Sequence, residues 1–467
     1  MRPLLFFFLG SAAALATPSP DVTVSDVKGL LSAVASIGPG KTILLAPGTY
    51  VLPNRMPITN AGTSSAPALI ASLRGPGTVV IDANGAEEAF LVNGGSFLRF
   101  EGLTITGGAC HAIKVDPPST DVVIINNRFY DNTRTPMLNN QVSAVKGDPG
   151  AARVTVENNI VEQIASFGGD NFQGIDCNAG VDWIVRGNTV RDIRGASLSG
   201  SGIQFKSGST GTVIENNLVL RCGLNGIVYG GFGNPAWGKQ KHEHVGGVVR
   251  NNVVAECADA GITCINTSDG KVVNNTLYNN GHNPDVRIVA RNLEFRNNIL
   301  DWPIEFRDGT TGAKLNNVVL RKPSDANWFV NAAAADFRLR SDAPLAPDLG
   351  ATLSKKPARS GGGRAGLKLA HEALARGDLA KAYRHFESAA GEGGEEELVA
   401  QARENMKKIE QAALGRLKEA QALEAIGENV DAISAYQDLL REFAGVPAAQ
   451  EAKLRIESLK KTPPAKK

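Results

Sequence analysis

Pairs of asparagine recur through the middle of the chain, at Asn126-Asn127, Asn158-Asn159, Asn216-Asn217, Asn251-Asn252, Asn274-Asn275, Asn297-Asn298 and Asn316-Asn317, with Gly187-Asn188 standing in once. Counted on the second members, the steps are 32, 29, 29, 35, 23, 23 and 19 residues. That is the length of one coil of a parallel β-solenoid with loops of varying size. Asn tolerates the left-handed backbone that a sharp strand-to-strand corner requires, and its amide can bond to an Asn stacked above it. Few other folds would use the same doublet at such intervals.

A strand alternates inward and outward side chains, so the flanks test the idea. Three and five positions before each second Asn stand Val122/Ile124, Val154/Val156, Trp183/Val185, Thr212/Ile214, Val249 with Gly247, Val272 with Gly270, and Leu293/Phe295. Five positions after it come Ile164, Ile193, Cys222 and Cys257 in successive coils, an interior row. The pattern predicts a mainly β protein, a right-handed single-stranded parallel β-helix over residues 22–349. The segment DVKGLLSAVASI near its start predicts a short helix that closes the open end of the first coil.

The chain of 467 residues is longer than one typical domain. Arg2 precedes an apolar run from Leu4 to Leu15, and Ala14-Leu15-Ala16 ends it in the pattern of a signal-peptidase site. Residues 1–16 therefore predict a signal peptide, with export to the periplasm, cell surface or medium and no membrane span after cleavage. Of five cysteines, Cys177, Cys222, Cys257 and Cys264 fall in the inward register, where a thiol packs as a small hydrophobe. The formal charge of +2 implies no strong field for nucleic acid or membrane.

Residues 350–364 include KKPARSGGGR, a basic, glycine-rich linker. Beyond it, residues 365–460 are rich in Ala, Glu, Leu and Lys at helical spacing. Two segments about fifty residues apart match each other: ALARGDLAKAYRHFESAA from Ala373 and ALEAIGENVDAISAYQDLL from Ala422. Small residues at Ala373, Ala382, Ala422 and Ala432, glycines at Gly377 and Gly427, and aromatics at Tyr383, Phe386 and Tyr436 resemble tetratricopeptide helix pairs. The spacing exceeds the usual ~34 residues, so a further helix over about 395–414 is expected between the pairs. Such a small all-α domain either binds a protein partner or caps the solenoid. Residues 461–467 form a basic tail that predicts disorder.

The opening KTILLAPGTYVL, AGTSSAPALIASLRGPGTVVIDANG and SFLRFEGLTITGG, and the central GIQFKSGSTGTVIENNLVLRCGLNGIVYGG, resemble polysaccharide lyase family six, the alginate lyase and chondroitinase B group of pectin-lyase-like β-helices. The resemblance covers about two thirds of the chain. It implies β-elimination on an acidic polysaccharide, a uronate-containing glycan, with Lys206 as the catalytic base. Two departures stand out. The family's catalytic arginine, one coil later, aligns with Gly230, and the acidic calcium ligands before the lysine align near Ser199 and Ser201.

Removal of a proton next to a carboxylate needs a base and a positive charge that neutralises the developing carbanion. In Ile203-Gln204-Phe205-Lys206 the alternation turns Gln204 and Lys206 outward. Earlier coils offer Lys114 and Lys146 for substrate binding, a vertical row with Lys206 that suits a polyuronate or serves solubility alone, with His111 and Asp116 beside it. Asp170 and Asp176 are candidates for a metal such as calcium, or solvated positions. The insertion FGNPAWGKQKHEHVGG, from Phe232 to Gly247, should hang over the same face and brings Trp237, Lys239, His242 and His244 as sugar or carboxylate contacts. The strand faces show no matched pair of acids for hydrolysis. A non-catalytic carbohydrate-binding or surface-assembly protein is the competing expectation.

Overall fold

The computed structural model describes residues 22–130, 141–162, 171–194, 200–282, 284–320, 327–332, 335–345, 349–352, 363–389, 396–444 and 446–461. The export segment, Ile164, Asp170, Ser199, residues 353–362 of the linker and the tail from 462 lie outside them. Each coil lays one strand on each of three parallel sheets, as in Leu98–Glu101, Thr104–Thr106 and His111–Asp116. The first sheet has 12 strands, the second 11 and the third 10. This is a parallel β-helix with a smaller helical region after it.

The asparagine doublets form the corner between the first and second sheets. The first member takes the left-handed conformation, with φ of 57° at Asn126, 52° at Asn158, 65° at Gly187 and 57° at Asn216. The second member is buried and continues the ladder. Asn159 donates its backbone N–H to Asn188 Oδ1 at 2.9 Å and its amide Nδ2 to the same oxygen at 3.0 Å and to the Ile124 carbonyl at 2.8 Å. The same exchange recurs from Asn127 to Asn317. Because these asparagines are buried, each lost amide would leave backbone atoms without their partner, at about 1–3 kcal/mol.

Inside, Val122, Ile124, Val154, Val156, Trp183, Val185, Ile193, Cys222 and Cys257 are all buried in one continuous core. All five cysteines are free and buried. Helix Val27–Ala35 closes the first coil, with Asp26 Oδ1 accepting the Gly29 N–H at 2.7 Å and Leu30 fully buried.

The second sheet is covered on its outer face by the chain's own C-terminal part. Phe329 and Phe337 from the hairpin Phe329–Asn331/Asp336–Leu339 pack with Leu349 and Ala351 on Leu220, Val253 and Ile299. Residues 350–352 run back across the coils, and the Ala351 N–H reaches Thr276 Oγ1 at 2.9 Å. Further toward the N-terminus, the His385 ring stands edge-on to Tyr130 with centroids 5.3 Å apart. Beneath it Arg128 and Arg191 hold the buried Glu162, at 3.1 and 2.5 Å.

The helical region consists of Gly363–Ala375, Leu379–Ala389, Glu396–Ala425, Asn429–Glu442 and Pro447–Lys461 among the described residues. Gly377 and Gly427 take the left-handed conformation between helices, at φ of 75° and 83°. Two expectations need correction. The extra helix does not end near Leu414; it runs through Gly415 to Ala425 as one element of 30 residues, fixed by the burial of Ala413, Leu417 and Ala420. Ala422 is exposed on that helix, so it is not a packing position, unlike Ala373, Ala382 and Ala432. Helix Gly363–Ala375 also begins inside the expected linker. Among the described residues no helix is long and apolar enough to cross a membrane.

Candidate functional site

The outer face of the third sheet carries two files of polar side chains. Register sets Lys114, Lys146, Asp176 and Gln204 side by side on successive strands. Two residues further along each strand, Asp116, Asp148, Asn178 and Lys206 form the second file. The expected row of three lysines is therefore corrected. Lys114 and Lys146 share a file, whereas Lys206 stands in the next one, beside Asn178.

The charges are mutually committed. Lys146 and Asp176, both buried, form a close ion pair, and Gln204 donates Nε2 to the other Asp176 oxygen at 3.0 Å. Burial alone would push both groups toward neutrality; the attraction between them outweighs it, lifting the Lys146 pKa and lowering that of Asp176, with Lys206 assisting. Lys114 lies 3.0 Å from Asp148 and 3.3 Å from Asp116. Desolvation raises Asp116, whose Oδ1 is buried without a hydrogen-bond partner. His111 is held neutral, its pKa lowered to about 3 by burial and by Lys146. Lys206 is half-buried, and among the described residues its ammonium makes no ion pair or hydrogen bond. Ile203 and Phe205 on either side of Gln204 are fully buried, as the alternation predicts.

The insertion forms a wall along the second file. Its single 3-10 turn, Pro235–Gly238, sits on Ser207 and Gly208; a side chain at Gly208 would meet the Pro235 carbonyl at 2.5 Å and Gly238 Cα at 2.8 Å. Glu243, which sequence reasoning missed, ties the wall down: its two oxygens accept the N–H groups of Ser207 at 2.7 Å and Gly233 at 3.0 Å. Ser207 Oγ accepts the Asn234 N–H at 3.3 Å and donates to Asn178 Oδ1 at 3.0 Å. The KSGS sequence is thus the seat of the insertion, a signal that could have been read from the small residues after Lys206.

Trp237, 55 % exposed, is brought against Lys146, Asp148, Pro149 and Asn178, and together they line a cavity of about 370 Å³. Lys239 is exposed nearby on the same turn. His242 turns to Asn266, with Nδ1 2.9 Å from Oδ1. His244 is a correction: it is fully buried, stacked 4.2 Å from the Tyr229 ring and 2.9 Å from Thr212 Oγ1, because Val245 and His244 form a short strand between Ser209–Thr210 and Thr267–Ser268. Burial lowers its pKa to about 3 and keeps it from serving as a surface cation.

Asp176 does not fit a calcium site as placed, since a lysine and an amide already occupy both its oxygens. Among the described residues no group of three or more His, Cys, Asp or Glu side chains gathers. Gly230, where the resemblance puts an arginine, has φ of 87°, and a Cβ there would run into the Ile265 carbonyl and Thr267 Oγ1. No arginine fits that backbone.

No protein-family profile and no curated protein matches the chain. Among solved structures it is similar to the PL6 family alginate lyase AlyGC, at 18 % identity over 64 % of this chain with a TM-score of 0.44, and spans 40 % of that protein's length. It is also similar to a rhamnogalacturonan lyase, at 14 % identity over 70 % of this chain and 96 % of that one, TM-score 0.44. A third likeness, to the Streptococcus pneumoniae surface protein and adhesin PfbA, has 14 % identity over 62 % of this chain and 92 % of that one, TM-score 0.40. Each is a likeness of fold alone.

Proposed function

We propose that the chain is an exported carbohydrate-active protein that binds an acidic, uronate-bearing glycan along the third sheet and cleaves it by β-elimination. The observation that carries this reading is Lys206, without an ion pair among the described residues, beside Asn178 and on the same face as the cavity under Trp237. The indole offers a sugar-stacking surface, and Lys206 stands on the same face with no ion pair or hydrogen bond to its ammonium among the described residues, the position the proposed base must occupy. In the reaction, Lys206 takes the proton from C5. The electron pair left behind forms the C4=C5 bond, the C4–O4 bond breaks, the departing oxygen takes a proton from water, and Lys206 returns its proton to the solvent. Lys146, kept charged by Asp176, contributes positive potential toward the sugar carboxylate. Calcium, not accommodated at Asp176, enters only as a variable to be tested.

A second reading, binding without cleavage, is favoured by one observation: Lys114 and Lys146 are both engaged by carboxylates, and Gly230 excludes the arginine of the resemblance. In either case the tetratricopeptide-like helices serve as a platform for a protein partner, for which the exposed Ile426 and Val430 at a hairpin tip provide apolar surface.

One experiment separates the readings. The chain is incubated with alginate, pectate and chondroitin or dermatan sulfate, with and without calcium, and the ultraviolet absorbance of unsaturated uronate is followed. A rise that Lys206→Ala abolishes establishes the lyase. A flat trace on every polymer with retained binding removes the catalytic reading and leaves the binding one.

A further inference from the structure

The insertion carries a second exposed aromatic at its opposite end, and it faces a different cation. Phe232 is 65 % exposed, and the Arg287 guanidinium carbon lies 5.4 Å from its ring centroid. Register shows where this is. Phe205 pairs Tyr229, Val228 pairs Thr263 and Ile265 pairs Arg287, so Arg287 occupies the same file as Lys206, three strands further along the third sheet. At about 4.8 Å per strand the two lie about 14 Å apart along the helix axis.

Arg287 is not alone. Its Nε contacts Asp285 Oδ2 at 3.0 Å, while Arg307 from the next coil takes Asp285 Oδ1. Two guanidinium groups thus share one carboxylate, and the cluster keeps one positive charge. Arg287 is partly exposed, and its contact with Asp285 is made through Nε. With the guanidinium seated over one face of the exposed Phe232 ring, the ring's other face is suited to a sugar and the guanidinium N–H groups to a carboxylate of the same acidic chain.

From this juxtaposition we infer that Arg287, supported by Arg307 and Phe232, is a carboxylate-binding subsite for an acidic glycan, at the far end of the groove from Trp237. The inference rests on the glycan reading above and deepens it: the wall places Trp237 two strands before Lys206 and Phe232 with Arg287 three strands after. The ligand spans the coils from Lys146 to Arg287, about 24 Å, so it is a long chain and not a disaccharide.

The test uses the full chain with Lys206→Ala to prevent turnover, and measures calorimetric binding of a polyuronate and of the same polymer with its carboxylates esterified. Arg287→Gln is expected to weaken the acidic polymer about tenfold and leave the esterified one unchanged, the size expected for one charge-assisted contact. Phe232→Ala, at an exposed position, should weaken both polymers. Parent-like binding of the acidic polymer by both variants, with unchanged circular dichroism, overturns the subsite and leaves the glycan reading standing. Failure of the parent chain to bind any polyuronate overturns both.

Discussion

The second and third sheets each carry buried ion pairs on their outer faces, yet the two faces have different fates. On the second, Glu162 is clamped between Arg128 and Arg191 under Tyr130 and His385, and the face around Leu220, Val253 and Ile299 is covered by the chain's own C-terminal residues. On the third, Lys146–Asp176 lies beside a cavity, and among the described residues the Lys206 ammonium makes no ion pair. Similar chemistry is therefore structural where the chain covers itself and available where it does not. Exposure of a charge on one strand says little; what packs on the neighbouring coil decides its role.

The largest effect should come from breaking the covered side. Glu162→Gln removes the buried carboxylate that Arg128 and Arg191 both hold and is expected to cost about 3–5 kcal/mol, read from denaturant unfolding. A loss below ~1 kcal/mol would mean that the clamp is not what holds this face. On the open side, Asp176→Asn strands Lys146, but a lysine can shed its proton and water can reach the groove, so about 2 kcal/mol is expected. If the two losses are equal, the contrast between the faces fails.

Acid sharpens the comparison. The Glu162 pKa is set by burial, which raises it, and by the two arginines, which bring it down from 4.5 to about 2. The unfolded chain therefore takes up this proton first, so the stability is complete above about pH 4.5 and is lost as the pH falls toward 2. His111 and His244 act earlier: both are lowered from 6.5 to about 3, so their contribution declines as soon as the pH drops below 6.5. Thermal melts between pH 7 and 3 should show this slope, and His111→Gln with His244→Gln should flatten it. The smallest effect on stability belongs to Lys206→Ala, within about 0.5 kcal/mol, while turnover disappears. A large loss of stability there would assign Lys206 a structural role.

The β-helix was legible because one corner repeats: Asn126, Asn158 and their successors are selected by a backbone conformation that few residues tolerate, and the amide ladder needs the second Asn at every coil. The groove was less so. Lys146 and Asp176 read as separate outward residues because their pairing depends on register across loops of unequal length. His244 looked like a loop residue, since a strand of two residues has no periodicity to detect. The extra helix, expected over about 395–414, continues through Gly415; the glycine's cost of about 1 kcal/mol is overcome by packing on either side, which local propensity does not contain. Nothing in the sequence distinguishes Glu243 from any other loop acid, although its two oxygens fix the wall.

The asparagine corner also turns the molecule into a ruler. Each coil passes the next one the same bonds, so a coil copied or removed between two corners presents a ready-made junction and changes the groove by about 4.8 Å. The reach of this protein along a polymer is then adjustable in fixed increments by gene duplication, and Trp237 and Phe232 mark two divisions on that scale.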